Sequence, residues 1–193
     1  MPICHKHKFI FIHIPKNAGT SITETFNMDD KGHHFFNYYK DKYPTIWQSY
    51  KKIAILRNPW DRVVSNYEYA RLEKSYWHSS ENDRPYGQHP DYNLLKDISF
   101  EECVNILFNN KSSFKHQGWS NQNEYISIDG KIMVDELINQ SDIKNYIKKE
   151  FNIDLLEINK SRSKSYKEYY NQDLIDKVYQ IYKDDVNLFN FNY

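Results

Sequence analysis

Two short segments carry residue types that bind phosphate-like anions. The first is Pro15-Lys16-Asn17-Ala18-Gly19-Thr20-Ser21, a lysine, one glycine and two hydroxyls between an apolar run and a helical pattern. A strand that runs into a glycine-containing turn and a helix N-terminus aims several backbone N–H groups one way, and the helix dipole adds positive potential. Gly19 would let the backbone approach a phosphate-like group closely. The second segment holds Arg57, followed by Arg62 and Ser65, three apart and so on one helical face. An arginine at a strand end and a hydroxyl one to two turns into the next helix can clamp a second phosphate. Each segment also has a plainer reading. Residues 16–21 would be a surface turn before a helix capped at Thr20, and Arg57 would pair with Asp61 or Asp30 beside a tolerated helix serine. Residue order excludes a Walker A loop, because Lys16 precedes Gly19 and no earlier glycine exists. A G-x-G-x-x-G fingerprint is excluded by the single glycine.

The elements that must position these segments are legible. Lys8–Ile14, KFIFIHI, is apolar on both faces except His13 and predicts a buried parallel strand ending at Pro15. ITETF has helical spacing. Lys52–Leu56, KIAIL, predicts a second buried strand, broken by Arg57-Asn58-Pro59. A helix follows from Trp60 to about Lys74, with Val63, Val64, Tyr67 and Ala70 as its stripe. Ser75 to about Asp97 reads as a long loop, and Ser99-Phe100-Glu101-Glu102 as a capping box opening a helix to about Asn110. Glu124–Ile128 and Lys131–Val134 flank Asp129-Gly130 as a hairpin. Ser141–Phe151 reads as a helix, Asp154–Ile158 as a short strand and Gln172–Phe189 as one long helix. Alternating strands and helices imply an α/β fold with a mainly parallel sheet, and ligands then sit beyond the carboxyl ends of its strands. Those ends are Pro15–Ser21 and Arg57–Ser65.

Composition narrows the function. The 193 residues suit one domain spanning 1–193. Lys plus Arg is 26 and Asp plus Glu is 26, so the chain lacks the bulk positive field of a general nucleic-acid binder. Cys4 and Cys103 cannot build a disulfide framework. No stretch approaches the ~18 apolar residues of a membrane span, so the sequence is expected to be soluble and cytoplasmic. Cys4-His5-Lys6-His7 has no partner cluster and is not read as a metal site.

Together these motifs resemble those of a known family. Ile12-His13-Ile14-Pro15-Lys16-Asn17-Ala18-Gly19-Thr20-Ser21 resembles the 5′-phosphosulfate loop of sulfotransferases that use 3′-phosphoadenosine 5′-phosphosulfate (PAPS). Arg57-Asn58-Pro59-Trp60-Asp61-Arg62-Val63-Val64-Ser65-Asn66-Tyr67 resembles their 3′-phosphate motif. Gln122, the Asp129-Gly130 region and the tail from Asn159 through Tyr169-Tyr170 to Asp185 and Phe189 also look like this group. The phrasing is most similar to carbohydrate enzymes of the heparan 2-O- and chondroitin type.

The resemblance implies a P-loop nucleotide-kinase-like three-layer α/β fold, PAPS as donor, no metal, and a hydroxyl acceptor on a carbohydrate. By it, the backbone of Lys16, Asn17, Ala18, Gly19, Thr20 and Ser21 wraps the 5′-phosphosulfate. Lys16 sits near the oxygen bridging sulfur and phosphorus, where charge develops. Arg57 and Ser65 take the 3′-phosphate. The family's base follows the first helix, where this chain has Gly32-His33-His34-Phe35. Imidazole, with a reference pKa of ~6.5, suits a base near neutral pH. His34 is preferred, His33 is second and Glu24 is a weaker alternative. Asn17-Ala18 departs from the usual pair in this loop, and Asn tolerates left-handed backbone. Tyr76, Trp77, His78, Tyr86, His89 and Tyr92 of the long loop are expected to stack on a sugar, or else to pack on the body. Lys160, Arg162 and Lys164 are expected near negative groups, or as a solvated basic turn. The alternative function is a kinase-like or degenerate nucleotide-binding protein without sulfuryl transfer.

Overall fold

The structure is a computed structural model that describes residues 2–29, 32–74, 88–158 and 164–193. In chain order the elements are β1 (Ile3–Cys4), β2 (Phe9–Ile12), α1 (Gly19–Thr25), α2 (Phe36–Lys42), α3 (Pro44–Ser49), β3 (Lys51–Leu56), α4 (Pro59–Ala70), α5 (Tyr92–Leu95), α6 (Phe100–Asn109), α7 (Asn123–Ile126), β4 (Ser127–Ile128), β5 (Lys131–Ile132), β6 (Glu136–Asn139), α8 (Ile143–Phe151), α9 (Gln172–Ile181) and α10 (Lys183–Phe189). They fall into two compact units, 1–57 with 120–160 and 58–119 with 161–193.

The first unit holds a mixed sheet in the order β1-β2-β3-β6. β1 runs antiparallel to β2, while β2–β3 and β3–β6 are parallel, so the expected mainly parallel α/β sheet is present. Every residue of Phe9-Ile10-Phe11-Ile12 is buried, as a strand covered on both faces requires. The two-residue side-chain period gathers Phe9, Phe11, Ile53 and Ile55 into a core with Ile22 of α1 and Ile143 and Ile147 of α8. Each fully buried Phe or Ile contributes about 1.5–3 kcal/mol, which fixes the register of the central pair. That register sets Ile12 opposite Ala54, so the segment leaving β2 lies beside the end of β3.

The second unit packs α4, α6 and α9 around Trp60, Val63, Val64, Tyr67, Leu107, Leu174, Val178 and Tyr182. The stripe expected on α4 is its buried face. Asn58 caps that helix, with Oδ1 accepting from Trp60 N at 3.1 Å, and Pro59 occupies its first turn. The Ser99 capping box forms as expected.

Several expectations need correction. α4 stops at Ala70, and Tyr92–Leu95 inside the expected loop is a short helix. Glu124 to Ile126 is helical, so the hairpin around Asp129-Gly130 is only Ser127–Ile128 paired with Lys131–Ile132. Asp154–Ile158 forms no strand, because the N–H groups of Leu156 and Ile158 donate to Thr25 Oγ1 (2.9 Å) and Ser21 Oγ (3.2 Å). The terminal helix breaks at Tyr182 (φ −117°), whose buried side chain donates its hydroxyl to Trp119 O at 3.0 Å. β6, missing from the expected elements, is a parallel strand in which Ile138 alone is buried.

Candidate active site

The segment between β2 and α1 is a strained turn tied to the end of β3. Lys16 and Ala18 both have positive φ (69° and 58°), whereas Asn17 between them does not. Left-handed backbone costs roughly 1–3 kcal/mol at a non-glycine residue, and such strain clusters at functional sites. Alternating φ signs make the backbone nest that turns successive N–H groups toward an anion. Within the Asn17-Ala18 pair the left-handed residue is Ala18 rather than the expected Asn17. Ala18 is also the N-cap of α1, with no side-chain cap, so the helix does not start on a Thr20 cap.

Asn17 is fully buried and works as a strut. Its Nδ2 donates to Ile55 O (2.7 Å) and to Gln122 Oε1 (2.6 Å). Gln122 grips Arg57 on both backbone groups, with Oε1 accepting from Arg57 N and Nε2 donating to Arg57 O, each at 2.9 Å. The Arg57 guanidinium donates through Nη1 to Lys16 O at 2.8 Å. One of its five N–H donors therefore holds the first loop. Asp30, one of the two carboxylates of the plainer pairing, lies outside the described residues.

Ser21 is buried, and its hydroxyl accepts from Ile158 N. Thr20 is half-buried. Gly19 is buried beneath His13, since a Cβ at position 19 would lie 1.7 Å from His13 Nε2. His13 is itself 4% exposed, stacks on Phe11 and meets the His33 ring edge-on at 4.2 Å.

The two histidines of the expected base separate clearly. His33 Nδ1 lies 3.2 Å from His13 O. A carbonyl oxygen only accepts, so the bond requires the proton on Nδ1 and leaves the lone pair on Nε2 in the neutral ring. His34 instead stacks on Tyr38 at 3.8 Å with 12° between the planes. Phe35 stacks on Tyr125. Glu24 is exposed on α1.

The remaining expected residues are placed individually. Arg62 and Ser65 are buried on α4 in the second unit. His89 is 3% exposed, ring to ring with His116 at 4.5 Å, so it is packed inside that unit rather than presented for stacking. Its neighbour Asp91 is buried and accepts from Lys115 N, His116 N and Trp119 Nε1 at 2.7, 3.2 and 3.0 Å. Tyr76, Trp77, His78, Tyr86, Lys160 and Arg162 lie outside the described residues, and Lys164 is exposed. His5 meets Tyr50 and His7 packs between Phe26 and Phe151, so the N-terminal Cys–His cluster diverges.

Two residues of the site escaped sequence reasoning. His13 had a signal, being the one polar residue of an apolar strand run. Gln122 had a resemblance but no role, because its partners lie 65 and 105 residues away in sequence.

A family model described as the sulfotransferase family matches residues 1–192. The chain belongs to the sulfotransferase family. No curated protein matches it. Membership makes it a transferase acting in sulfuryl transfer and implies a hydroxyl acceptor. No described helix of this sulfotransferase is long and apolar enough to cross a membrane.

Proposed function

We propose that this sulfotransferase moves a sulfuryl group from PAPS to a carbohydrate hydroxyl, as one domain of P-loop nucleotide-kinase-like type and in the cytoplasm. The observation that carries the donor reading is the tie between the strained Lys16–Ala18 turn and Arg57 at the adjacent strand end. A basic, hydroxyl-bearing nest beside an arginine suits a ligand with more than one anionic group. By the motif resemblance, residues 16–21 take the 5′-phosphosulfate, and Arg57 and Ser65 take the 3′-phosphate. PAPS is the donor substrate here, and no metal is invoked.

Sulfuryl transfer forms a bond from the acceptor oxygen to sulfur and breaks the bond from sulfur to the bridging phosphate oxygen. Lys16 stabilises the charge that collects on that leaving oxygen. The hydroxyl proton goes to a base, which we assign to His33 rather than His34. Support for His33 is its Nδ1 anchor on the backbone of His13, whose ring covers Gly19. His34 is engaged face-on with Tyr38.

The deciding experiment is transfer of sulfur-35 from labelled PAPS onto a panel of glycans and small hydroxyl compounds. Labelled glycan is the expected product. Labelling of small phenols alone would overturn the carbohydrate assignment. Binding of PAPS without transfer to any acceptor would favour a degenerate nucleotide-binding protein.

A further inference from the structure

Gln122 belongs to neither anion-binding segment, yet its amide touches both. It stands at the start of α7, fully buried. An amide oxygen has two lone pairs and an amide nitrogen two donors. Both lone pairs are taken, one by Asn17 Nδ2 at 2.6 Å and one by Arg57 N at 2.9 Å. The nitrogen donates to Arg57 O at 2.9 Å. This two-point grip on one residue's backbone fixes the direction in which Arg57 sends its side chain. The third bond fixes Asn17 against it, and Asn17 is locked a second time on Ile55 O. Three bonds from one buried amide therefore set how far the Lys16–Ala18 turn stands from Arg57.

We infer that Gln122 is a positioning residue that spaces the two strand-end segments, and that this spacing selects a nucleotide carrying phosphate on both the 3′ and 5′ positions. The inference rests on the donor reading above. A residue that served only stability would affect every ligand alike. A spacer acts most on the ligand that must reach both segments at once, because only that ligand gains from their preset separation.

The test measures dissociation constants for adenosine 3′,5′-bisphosphate, AMP and adenosine 3′-monophosphate by calorimetry on the full chain. Wild type is expected to bind the bisphosphate more tightly than either monophosphate. Gln122→Met keeps the side-chain length and removes all three bonds. It is expected to weaken the bisphosphate about tenfold more than it weakens either monophosphate, within the range by which contacting residues couple. Equal losses for all three ligands, or no loss, with the wild-type preference intact would overturn the inference and leave the donor reading standing. A wild type with no preference for the bisphosphate would overturn both. Should Gln122→Met not fold, Gln122→Glu decides. Its carboxylate keeps the acceptor but faces Arg57 O with an oxygen, and only the protonated acid restores the donor. Its bisphosphate preference, taken relative to wild type at each pH, is expected to recover on acidification. Failure to recover would overturn the inference.

Discussion

His13 occupies the volume that a side chain at position 19 would need. A Cβ on Gly19 would fall 1.7 Å from His13 Nε2 and 2.0 Å from its Cδ2. Gly19 is absent from the residues with positive φ, so close approach rather than handedness demands glycine here. Gly19→Ala is expected to destabilise the chain by about 1–3 kcal/mol, the usual cost of overpacking. Removing the obstacle with His13→Ala in the same chain is expected to recover most of that loss. Urea unfolding of the two single variants and the double variant provides the cycle. An additive double variant would mean that the His13 ring is not the obstacle.

A ligand that fills both anion segments should stabilise the fold more than one that fills a single segment. Adenosine 3′,5′-bisphosphate at a hundred times its dissociation constant is expected to add ~2.7 kcal/mol. At matched concentration AMP and ADP, which lack the 3′-phosphate, are expected to shift the melting temperature less. Equal shifts from ADP and the bisphosphate would count against PAPS as donor.

Arg57 and Lys16 are joined through the hydrogen bond from Nη1 to Lys16 O but should fail differently. Arg57→Ala removes a charge-assisted contact worth roughly 1.5–3 kcal/mol, and its main effect is expected in PAPS affinity. Lys16→Ala is expected to lower turnover at saturating PAPS, because its charge matters most as the bridging oxygen ionises. Full turnover in the Lys16 variant would remove Lys16 from the chemistry.

What the sequence disclosed depended on whether a signal was local. Strands β2 and β3 are continuous apolar runs, and the turns after them carry their residue types in a row. Pro59 and the Ser99 capping box mark helix starts within four residues. β6 stayed hidden because its burial alternates at a sheet edge and leaves only Ile138 inside. Residues 154–158 look like a strand, yet their amides are spent on hydroxyls of α1 rather than on a ladder. In the site, the loop and Arg57 were legible as residue types. The handedness of Lys16 and Ala18, the inward turn of Asn17 and the grip of Gln122 arise only when segments distant in the chain meet. The two adjacent histidines differ solely in what each ring touches.

The α6 cap carries a pH signature. Glu102 accepts from Ser99 N and Ser99 Oγ at 2.7 Å each, and these bonds hold its carboxyl below the ordinary carboxylate range. A folded-state value below the unfolded one means the contribution is complete above the ordinary range and is lost as pH falls through the lowered value. Glu102→Ala is therefore expected to be less stable than wild type at pH ~7, with the difference closing as both are acidified below the usual carboxylate range. Ser99→Ala, which removes the cap itself, is expected to cost about 1 kcal/mol. A Glu102 difference that stayed constant down to strong acid would locate its effect in packing rather than in the charged cap.

The last expectation separates His33 from His34. A positioned base contributes about 10²–10⁴-fold to turnover. His33→Ala is expected to lose that factor while binding the bisphosphate nearly as wild type does, because Nε2 serves the acceptor rather than the nucleotide. His34→Ala is expected to retain most of its turnover, since its ring partner is Tyr38. The base works only with its lone pair available, so the wild-type rate is expected to fall on the acid side, and the His33 variant's residual rate to lose that limb. His33→Asn gives a sharper check. Its amide nitrogen stands where Nδ1 stands and can still donate to His13 O, but it cannot accept a proton at neutral pH. An Asn variant as slow as the Ala variant would assign the loss to proton transfer, whereas recovery with Asn would reduce His33 to an anchor. If His34→Ala is instead the slow variant, the base is one residue further along the chain. If neither substitution slows transfer, Glu24 is the next residue to change.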